Sequence, residues 1–327
     1  MSFRNLAPAF IVALCGCWLV SGDATAQKYP SRTISLVVPF PPGGLSDVPA
    51  RILAPDMQAL LGVPVVVENK PGGSGVVGAS YVWRADPDGY TLLVNAISDV
   101  QNLHYLSVPY NAVTDFAQIG MVTDGPPLVL LVNAETPYRS LADIIADSKA
   151  HPDKVSFASS GPATSPAIAI NQLNALAGAK ILEVPYRGTA PAGGAIVAGE
   201  VQGGFFYFGQ AKQLHEGGRA RAIAITSAQR FAGWPELPTM AELGFQPIIH
   251  SGFVGLSAPS KTPTDVIALL NKTLNAIIDT PAFRKRMEPL GMSVPSPNTP
   301  ETLRDYMRRE TANQAELAKL PGHPPRP

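Results

Sequence analysis

The segment Ile34-Ser-Leu-Val-Val-Pro-Phe-Pro-Pro-Gly-Gly-Leu-Ser-Asp47 carries the strongest structural signal in the chain. Its apolar, β-branched run from Ile34 to Val38 predicts a buried strand, and the prolines and glycines that follow predict a turn. Ser46 and Asp47 are good N-cap residues for a helix. The N-terminus of a helix offers free backbone N–H groups and the positive end of the helix dipole. The segment therefore predicts a site for a small anion that needs no basic side chain.

Strand-like and helix-like runs alternate along the rest of the chain. Strands are predicted at residues 63–68, 90–95, 128–132, 155–158, 181–185, 203–208, 222–226 and 253–258. Helices are predicted at 75–84, 140–150, 165–177, 189–198, 264–278 and 301–317. This alternation is typical of a parallel or mixed sheet covered by helices. Within the first helix, Pro55 is expected to produce a kink or an end.

The N-terminus has the pattern of an export signal. Arg4 supplies a positive charge, residues 9–20 form an apolar stretch too short to span a bilayer, and Ala24-Thr25-Ala26 is a small-residue cleavage site. We therefore assign residues 1–26 to a signal peptide. Cys15 and Cys17 both lie within it, so the mature protein has no disulfide and no cysteine ligand. The flanks of Cys17 match a lipoprotein signal imperfectly, and we favour soluble export over lipid anchoring.

Composition and motifs argue against several classes of protein. Charged residues make up 15% of the chain, with 25 Lys+Arg against 25 Asp+Glu, which does not favour a nucleic-acid partner. Gly73-x-Gly75-x-x-Gly78 resembles a dinucleotide fingerprint, but Asn95 stands where that site needs an acid. The sequence contains no Gly-x-Ser-x-Gly elbow and no histidine pair at metal spacing. We therefore expect no cofactor, no metal and no catalytic residues.

A second strand-to-helix turn lies at residues 155–165. It offers the hydroxyls of Ser159, Ser160, Thr164 and Ser165, together with the N-terminus of the following helix. Taken alone, such a turn can be a helix N-cap and nothing more. Two such turns in separate halves of the chain would, if they face each other across a cleft, clamp both ends of a small anion.

Motifs along nearly the whole mature chain resemble one family. They begin with Tyr29-Pro-Ser-Arg-Thr-Ile and the turn described above, and continue in order. The later motifs are Val67-Glu-Asn-Lys-Pro-Gly-Gly, Asp86-Pro-Asp-Gly-Tyr-Thr-Leu-Leu, Val108-Pro-Tyr, Asp115-Phe, Val184-Pro-Tyr-Arg-Gly, Leu237-Pro-Thr and Ala241-Glu-Leu-Gly. Together they resemble the substrate receptors of tripartite tricarboxylate transporters, the Bug receptors.

The resemblance implies an α/β, periplasmic binding protein-like fold, with two lobes joined by hinge strands and the ligand cleft between them. Lobe 1 would comprise residues 27–127 and 255–327, and lobe 2 residues 128–254. Crossings would fall near residues 128–132 and 253–258, and hinge closure would accompany binding.

Site residues follow from the same resemblance, position by position. They are Phe40, Gly43, Gly44, Ser46 and Asp47 in the first turn, Ser159, Gly161, Thr164 and Ser165 in the second, Tyr186 in a further segment, and Asn95 at a strand end. Because a carboxylate would repel an anion, Asp47 is expected to cap the helix or to hold a water or a ligand hydroxyl.

The chain departs from the family pattern at three places, one of which is the pair Pro49 and Pro55 in the first helix. Pro162, Ala163 and Ala167 replace a typical Gly-Asn-Gly-Ser turn and its following His, and Phe206 takes a usually acidic position. A buried ammonium would lack its acid, which argues against an amino-acid ligand. Phe206 and Tyr207, with Phe40 from the other lobe, instead predict a ligand with an apolar body. Alternation along the strand allows only one of Phe206 and Tyr207 to face the cleft.

These inferences together predict a periplasmic, non-enzymatic and monomeric receptor. It would capture a small organic carboxylate and deliver it to membrane transporter subunits. Two alternatives stay open: a receptor that reports to a sensor kinase, and a small-molecule enzyme on an α/β scaffold.

Overall fold

Strands and helices alternate along most of the chain in the computed structural model, which describes residues 29–152 and 154–319. The strands are β1 (Ile34–Val38), β2 (Val65–Asn69), β3 (Thr91–Ala96), β4 (Phe116–Asn133), β5 (Ser156–Ser159), β6 (Leu182–Pro185), β7 (Gly203–Tyr207), β8 (Ala220–Ile225) and β9 (Ser251–Pro259). The helices are α1 (Asp47–Leu61), α2 (Val76–Trp83), α3 (Ile97–Tyr105), α4 (Leu141–Ala150), α5 (Ser165–Ala177), α6 (Thr189–Ala198), α7 (Phe208–Glu216), α8 (Thr264–Ile278), α9 (Pro281–Met287) and α10 (Pro300–Leu317).

Two mixed sheets share the long strand β4. In the first sheet the order is β2-β1-β3-β9-β4, where β1 is parallel to β2 and β3 while β9 runs antiparallel to β3 and β4. In the second, β4 pairs antiparallel with β7 and β8, and β5 lies parallel to both β7 and β6. The predicted fold class, two α/β lobes of the periplasmic binding protein type, is confirmed.

The chain passes between the sheets on β4 and just before β9. Residues 116–127 of β4 pair with β9, and residues 128–133 pair with β7 and β8. The last pair in the first sheet joins Pro127 to Ser251. The predicted lobe boundary between residues 127 and 128 coincides with this change of pairing partner. The second predicted boundary, between residues 254 and 255, falls inside β9, because residues 253 and 254 already pair in the first sheet. The lobe assignment stays a proposal, which this exchange of partners supports.

Helices cover both faces of each sheet, because successive strand residues point to opposite sides. Leu36 belongs to a core under α1 and α8, while its neighbour Val37 belongs to a second core under α2 and α10. In the second sheet, Leu130 packs in the core beside α4 and α5, and Val129 in the core beside α6 and α7. The carboxyl ends of β1, β3, β5, β6 and β7 lead into helices that begin between the lobes.

Several elements differ from their prediction. Helices α3, α7 and α9 and the first two thirds of β4 were not predicted, and Phe208 begins α7 instead of ending a strand. Of the two outcomes expected at Pro55, a kink or an end, the end is wrong, because α1 continues to Leu61. Pro55 leaves the Arg51 carbonyl without its helical partner, but both residues are exposed, so water can solvate that carbonyl.

The predicted signal peptide and both cysteines lie outside the described residues, as does the proline-rich end of the chain. Within residues 29–152 and 154–319, none of the helices combines the length and apolarity that a membrane crossing requires.

Candidate functional site

A cavity lies between the two lobes, with about 410 Å³ of space free of atoms, part of it open to solvent. The first lobe contributes residues from the turn after β1 and from the start of α3. The second contributes the turn before α5, the start of α6 and the end of β7. The lining residues are Phe40, Pro41, Gly44, Leu45, Ser46, Ala96, Ile97, Ser98, Gln101, Ser160, Thr164, Ser165, Thr189 and Tyr207.

Five helices begin at this cavity. Ser46 precedes α1, Ala96 precedes α3, Thr164 precedes α5, Thr189 is the first residue of α6, and Tyr207 precedes α7. Each N-terminus presents unpaired backbone N–H groups and a partial positive charge. None of the lining residues in the described part of the chain is Lys, Arg, His, Asp or Glu. The arrangement therefore favours an anion that backbone groups and hydroxyls hold without an ion pair.

Asp47 organises the first turn from outside the cavity. Its carboxylate accepts hydrogen bonds from the Gly43 N–H (2.8 Å), from Arg51 Nε (2.9 Å) and from Asn69 Nδ2 (2.8 Å). Asn69 Nδ2 also donates to the Phe40 carbonyl at 2.9 Å. Burial tends to raise the pKa of Asp47, but these bonds outweigh burial and lower it. Asp47 therefore stays ionised and fixes the loop that brings Phe40 and Gly44 to the cavity.

Three buried polar atoms at the cavity have no hydrogen-bond partner among the described residues. They are the hydroxyls of Ser46 and Ser98 and the Oε1 atom of Gln101. All three belong to the first lobe, at the starts of α1 and α3. A buried polar group without a partner costs free energy, and a polar ligand in the cavity would remove that cost.

Polar groups of the second lobe are largely paired with one another. Ser160 Oγ donates to Thr164 Oγ1 (3.1 Å), and Thr164 Oγ1 donates to the Gly161 carbonyl (2.6 Å). Ser165 Oγ accepts from Gln101 Nε2 of the first lobe at 2.8 Å. The Ser165 side chain is also hydrogen-bonded to Tyr207, which lines the cavity. Burial raises the pKa of Tyr207 to about 12, which keeps its hydroxyl protonated. The second turn is thus a preformed wall with one bond across to the other lobe.

Six of the predicted site residues line the cavity: Phe40, Gly44, Ser46, Thr164, Ser165 and Tyr207. Gly43 and Gly161 lie in the two turns with positive φ angles of 85° and 118°, where they shape the backbone without lining the cavity. The two predicted turns therefore do face each other across one cavity.

Other predicted residues point elsewhere. Ser159 Oγ donates to Glu183 (2.7 Å), the Tyr186 hydroxyl donates to Glu200 (3.1 Å), and Asn95 Nδ2 donates to Ser257 Oγ (2.8 Å). Each of these bonds holds its side chain away from the cavity lining. The structure does not bring Ser159, Tyr186 or Asn95 to the cavity.

Phe206 also lies away from the cavity, in the core beside α6 and α7. It pairs with Val129 in the sheet, and both side chains occupy that core. Tyr207, the next residue along the strand, points the opposite way and lines the cavity. Of the two rings that were predicted near the ligand, the structure places only Tyr207 there.

Ser98, Gln101 and Thr189 line the cavity but were not predicted as site residues. Ser98 and Gln101 follow the predicted strand at 90–95, and ligands of open α/β sheets bind beyond the carboxyl ends of strands. That rule would have indicated the residues just after Asn95. Thr189 begins a helix that was predicted correctly, but its N-terminus was not assigned to the site.

Comparison with known proteins places the chain among transport receptors. Residues 49–319 match the family model described as tripartite tricarboxylate transporter family receptor. A UPF0065 protein from the tcbD-tcbE intergenic region of Pseudomonas sp. (strain P51) is 36% identical over 96% of this chain and 94% of its own length. Protein BugT of Bordetella pertussis is 34% identical over 93% of each chain.

Solved structures agree with this assignment. Periplasmic binding protein BugD is 33% identical, with a TM-score of 0.84 over 89% of this chain and 98% of its own. MatC from Rhodopseudomonas palustris with bound malate is 29% identical, with a TM-score of 0.83 over 89% and 100%. A second R. palustris protein, solved with adipate, is also 29% identical with a TM-score of 0.83, over 89% and 97%. The fold, the match over residues 49–319 and these likenesses make the chain a member of the tripartite tricarboxylate transporter receptor family, the Bug receptors.

Proposed function

We propose that this protein is a periplasmic receptor that captures a small organic carboxylate between its lobes and delivers it to a membrane transporter. The observation that carries the proposal is the convergence of five helix N-termini on a cavity whose described lining residues include no Lys, Arg, His, Asp or Glu. A carboxylate placed there would accept hydrogen bonds from backbone N–H groups and from the Ser46 and Ser98 hydroxyls. Malate in MatC and adipate in the second R. palustris structure support a ligand of this class.

The proposed receptor binds and releases its ligand unchanged. The cavity lining described here lacks a nucleophile–base pair and a carboxylate pair. Groups that donate to an anion are present instead, which is what reversible capture requires. The membrane subunits that accept the ligand are its expected partners, and we expect it to act as a monomer.

Isothermal titration calorimetry of the mature protein tests this proposal. Malate, adipate, benzoate and inorganic phosphate are titrated in turn, and each acid is recovered afterwards to check that it is unchanged. We expect at least one carboxylate to bind. At a free concentration of about 100 times its dissociation constant, that carboxylate should raise the free energy of unfolding by about 2.7 kcal/mol. Binding of phosphate alone, or conversion of a bound acid into a product, would contradict the proposal.

A side chain at Gly44 should block capture, because a Cβ there would lie 3.1 Å from Thr189 Oγ1 of the opposite lobe. We expect Gly44→Val to fold and to lose at least tenfold in carboxylate affinity, since the branched side chain also covers the nearby backbone groups. Gly194→Ala is the control, because a Cβ at Gly194 meets nothing within 4 Å and Gly194 lies in helix α6 without a positive φ. Wild-type affinity in a folded Gly44→Val protein would contradict binding at this turn.

A further inference from the structure

We propose that the ligand is a hydroxycarboxylic acid whose hydroxyl lies close to its carboxylate and donates a hydrogen bond to Gln101. This inference rests on the proposed function as a carboxylate receptor and goes further by naming the substrate class. It also assigns Gln101 as the residue that distinguishes hydroxy acids from their deoxy analogues.

Three buried polar atoms at the cavity are left unpaired by the described residues. Ser46, Ser98 and Gln101 are 2%, 4% and 0% exposed, and Ser46 Oγ, Ser98 Oγ and Gln101 Oε1 have no partner among the described residues. The Gln101 amide is already fixed at its other end, where Nε2 donates to Ser165 Oγ at 2.8 Å. A bound ligand that satisfies all three atoms recovers the free energy that their burial costs.

These atoms differ in the chemistry that they require. The hydroxyls of Ser46 and Ser98 can donate, and with the N-termini of α1 and α3 they suit a carboxylate. Oε1 of Gln101 can only accept, so it requires a hydrogen donor on the ligand. A carboxylate alone cannot satisfy it, because a carboxylate has no hydrogen to donate.

A neutral hydroxyl fits this position better than an ammonium group. No Asp or Glu is among the described lining residues, so a buried ammonium would have no counter-charge. A hydroxyl needs only the single acceptor that Gln101 offers. The donor on the ligand is therefore assigned to an alcohol or phenol group.

Helix geometry fixes how far apart the two ligand groups can be. Ser98 and Gln101 are three residues apart in α3, which makes them neighbours on one face, with about 5–6 Å between their Cβ atoms. A carboxylate at Ser98 and a hydroxyl at Gln101 must therefore lie a few bonds apart. The geometry points to 2-hydroxy and 3-hydroxy acids.

Paired acids that differ by one hydroxyl test this inference by calorimetry on the wild-type protein. The pairs are malate and succinate, lactate and propionate, 3-hydroxybutyrate and butyrate, and mandelate and phenylacetate. We expect the hydroxy acid of at least one pair to bind at least about tenfold more tightly than its deoxy partner. The inference would be overturned if the two acids of every pair that binds had equal affinities. It would also be overturned if adipate bound and no hydroxy acid did. Either result would leave the proposed function intact. If no carboxylate of any kind binds, the proposed function fails as well.

Two variants separate the role of Gln101 from a general effect on lobe closure. Gln101→Met keeps the length of the side chain but removes both the acceptor and the bond to Ser165, so the affinity ratio within a pair should fall towards one. Ser165→Ala removes the same bond between the lobes and leaves Oε1 in place, so both acids should weaken together and the ratio should persist. A folded Gln101→Met protein that keeps the wild-type ratio would overturn the assignment. If Gln101→Met does not fold, the wild-type comparison still decides it.

Discussion

Asp99 is a buried acid whose pKa the fold raises towards neutral pH. It lies in the first turn of α3, where its Oδ2 accepts a hydrogen bond from the Ala96 N–H at 2.8 Å and its Oδ1 has no partner in the described part of the chain. Burial raises its pKa from 3.8 to about 7, and the Ala96 bond offsets this only in part. Between these two values the folded protein holds a proton that the unfolded chain has released. Its contribution to stability is therefore full below about pH 4 and is lost as the pH rises through 7.

Replacing Asp99 by Asn should remove this pH dependence, because an amide keeps the acceptor for Ala96 and cannot ionise. We expect Asp99→Asn to unfold near the wild-type free energy at pH 4 and to be more stable than the wild type at pH 8, by roughly 1–4 kcal/mol. Urea denaturation at both pH values measures the difference. Asp86→Asn is the control, because Asp86 is exposed. An equal change in stability at both pH values would show that Asp99 does not titrate in this range.

At the level of secondary-structure elements, the crossing between the lobes depends on two glycines. A Cβ on Gly125 of β4 would lie 2.0 Å from the backbone of Gly252 in β9, a distance that no real contact allows. We expect Gly125→Ala to force the two strands apart and to lower the free energy of unfolding by about 1–3 kcal/mol. Gly194→Ala in α6 is the matched control, since a Cβ there meets nothing within 4 Å and alanine favours a helix. If both variants unfold alike in urea, the close approach at Gly125 is not required.

Elements that follow from local sequence were predicted well, and those that depend on distant partners were not. The strand, turn and helix at 34–61 carry their own signals, an apolar run, glycines and cap residues. Residues 116–127 contain glycines and prolines that resemble a turn, and only pairing with β9 makes them a strand. Helix α3 is only nine residues long, and buried polar residues lie between its apolar Ile97, Val100 and Leu103, so its sequence does not stand out as a core helix. For that reason Ser98 and Gln101, the groups best placed to meet a ligand, could not be found by pattern alone.

The orientation of Phe206 and Tyr207 shows the same limit within one strand. The sequence establishes that these neighbours face opposite sides. Which of them faces the cavity depends on the register with β4, where Phe206 pairs with Val129. That register is a long-range property, because the two strands are separated by three helices and two strands in the chain.

At the level of the whole molecule, the two lobes are in contact around the cavity. Ser74 Oγ of the first lobe donates to the Pro162 carbonyl of the second, and Gln101 donates to Ser165. An apolar cluster beside these bonds joins Tyr105 of the first lobe to Ile168 of the second. The structure therefore represents a closed arrangement. A receptor of this kind binds with an apparent affinity that scales with the fraction of molecules able to close.

Ser74→Ala should shift this balance towards an open form, because it removes a hydrogen bond between the lobes that lies outside the cavity lining. We expect the affinity for a bound carboxylate to fall by about two- to tenfold, with little change in the free energy of unfolding. Small-angle X-ray scattering should show a larger radius of gyration than the wild type without ligand, and the same radius at saturation. Ser31→Ala is the control, because Ser31 is exposed and bonds to Tyr90 within the first lobe. Weaker binding with an unchanged radius of gyration would mean that Ser74 acts on the ligand site itself and not on closure.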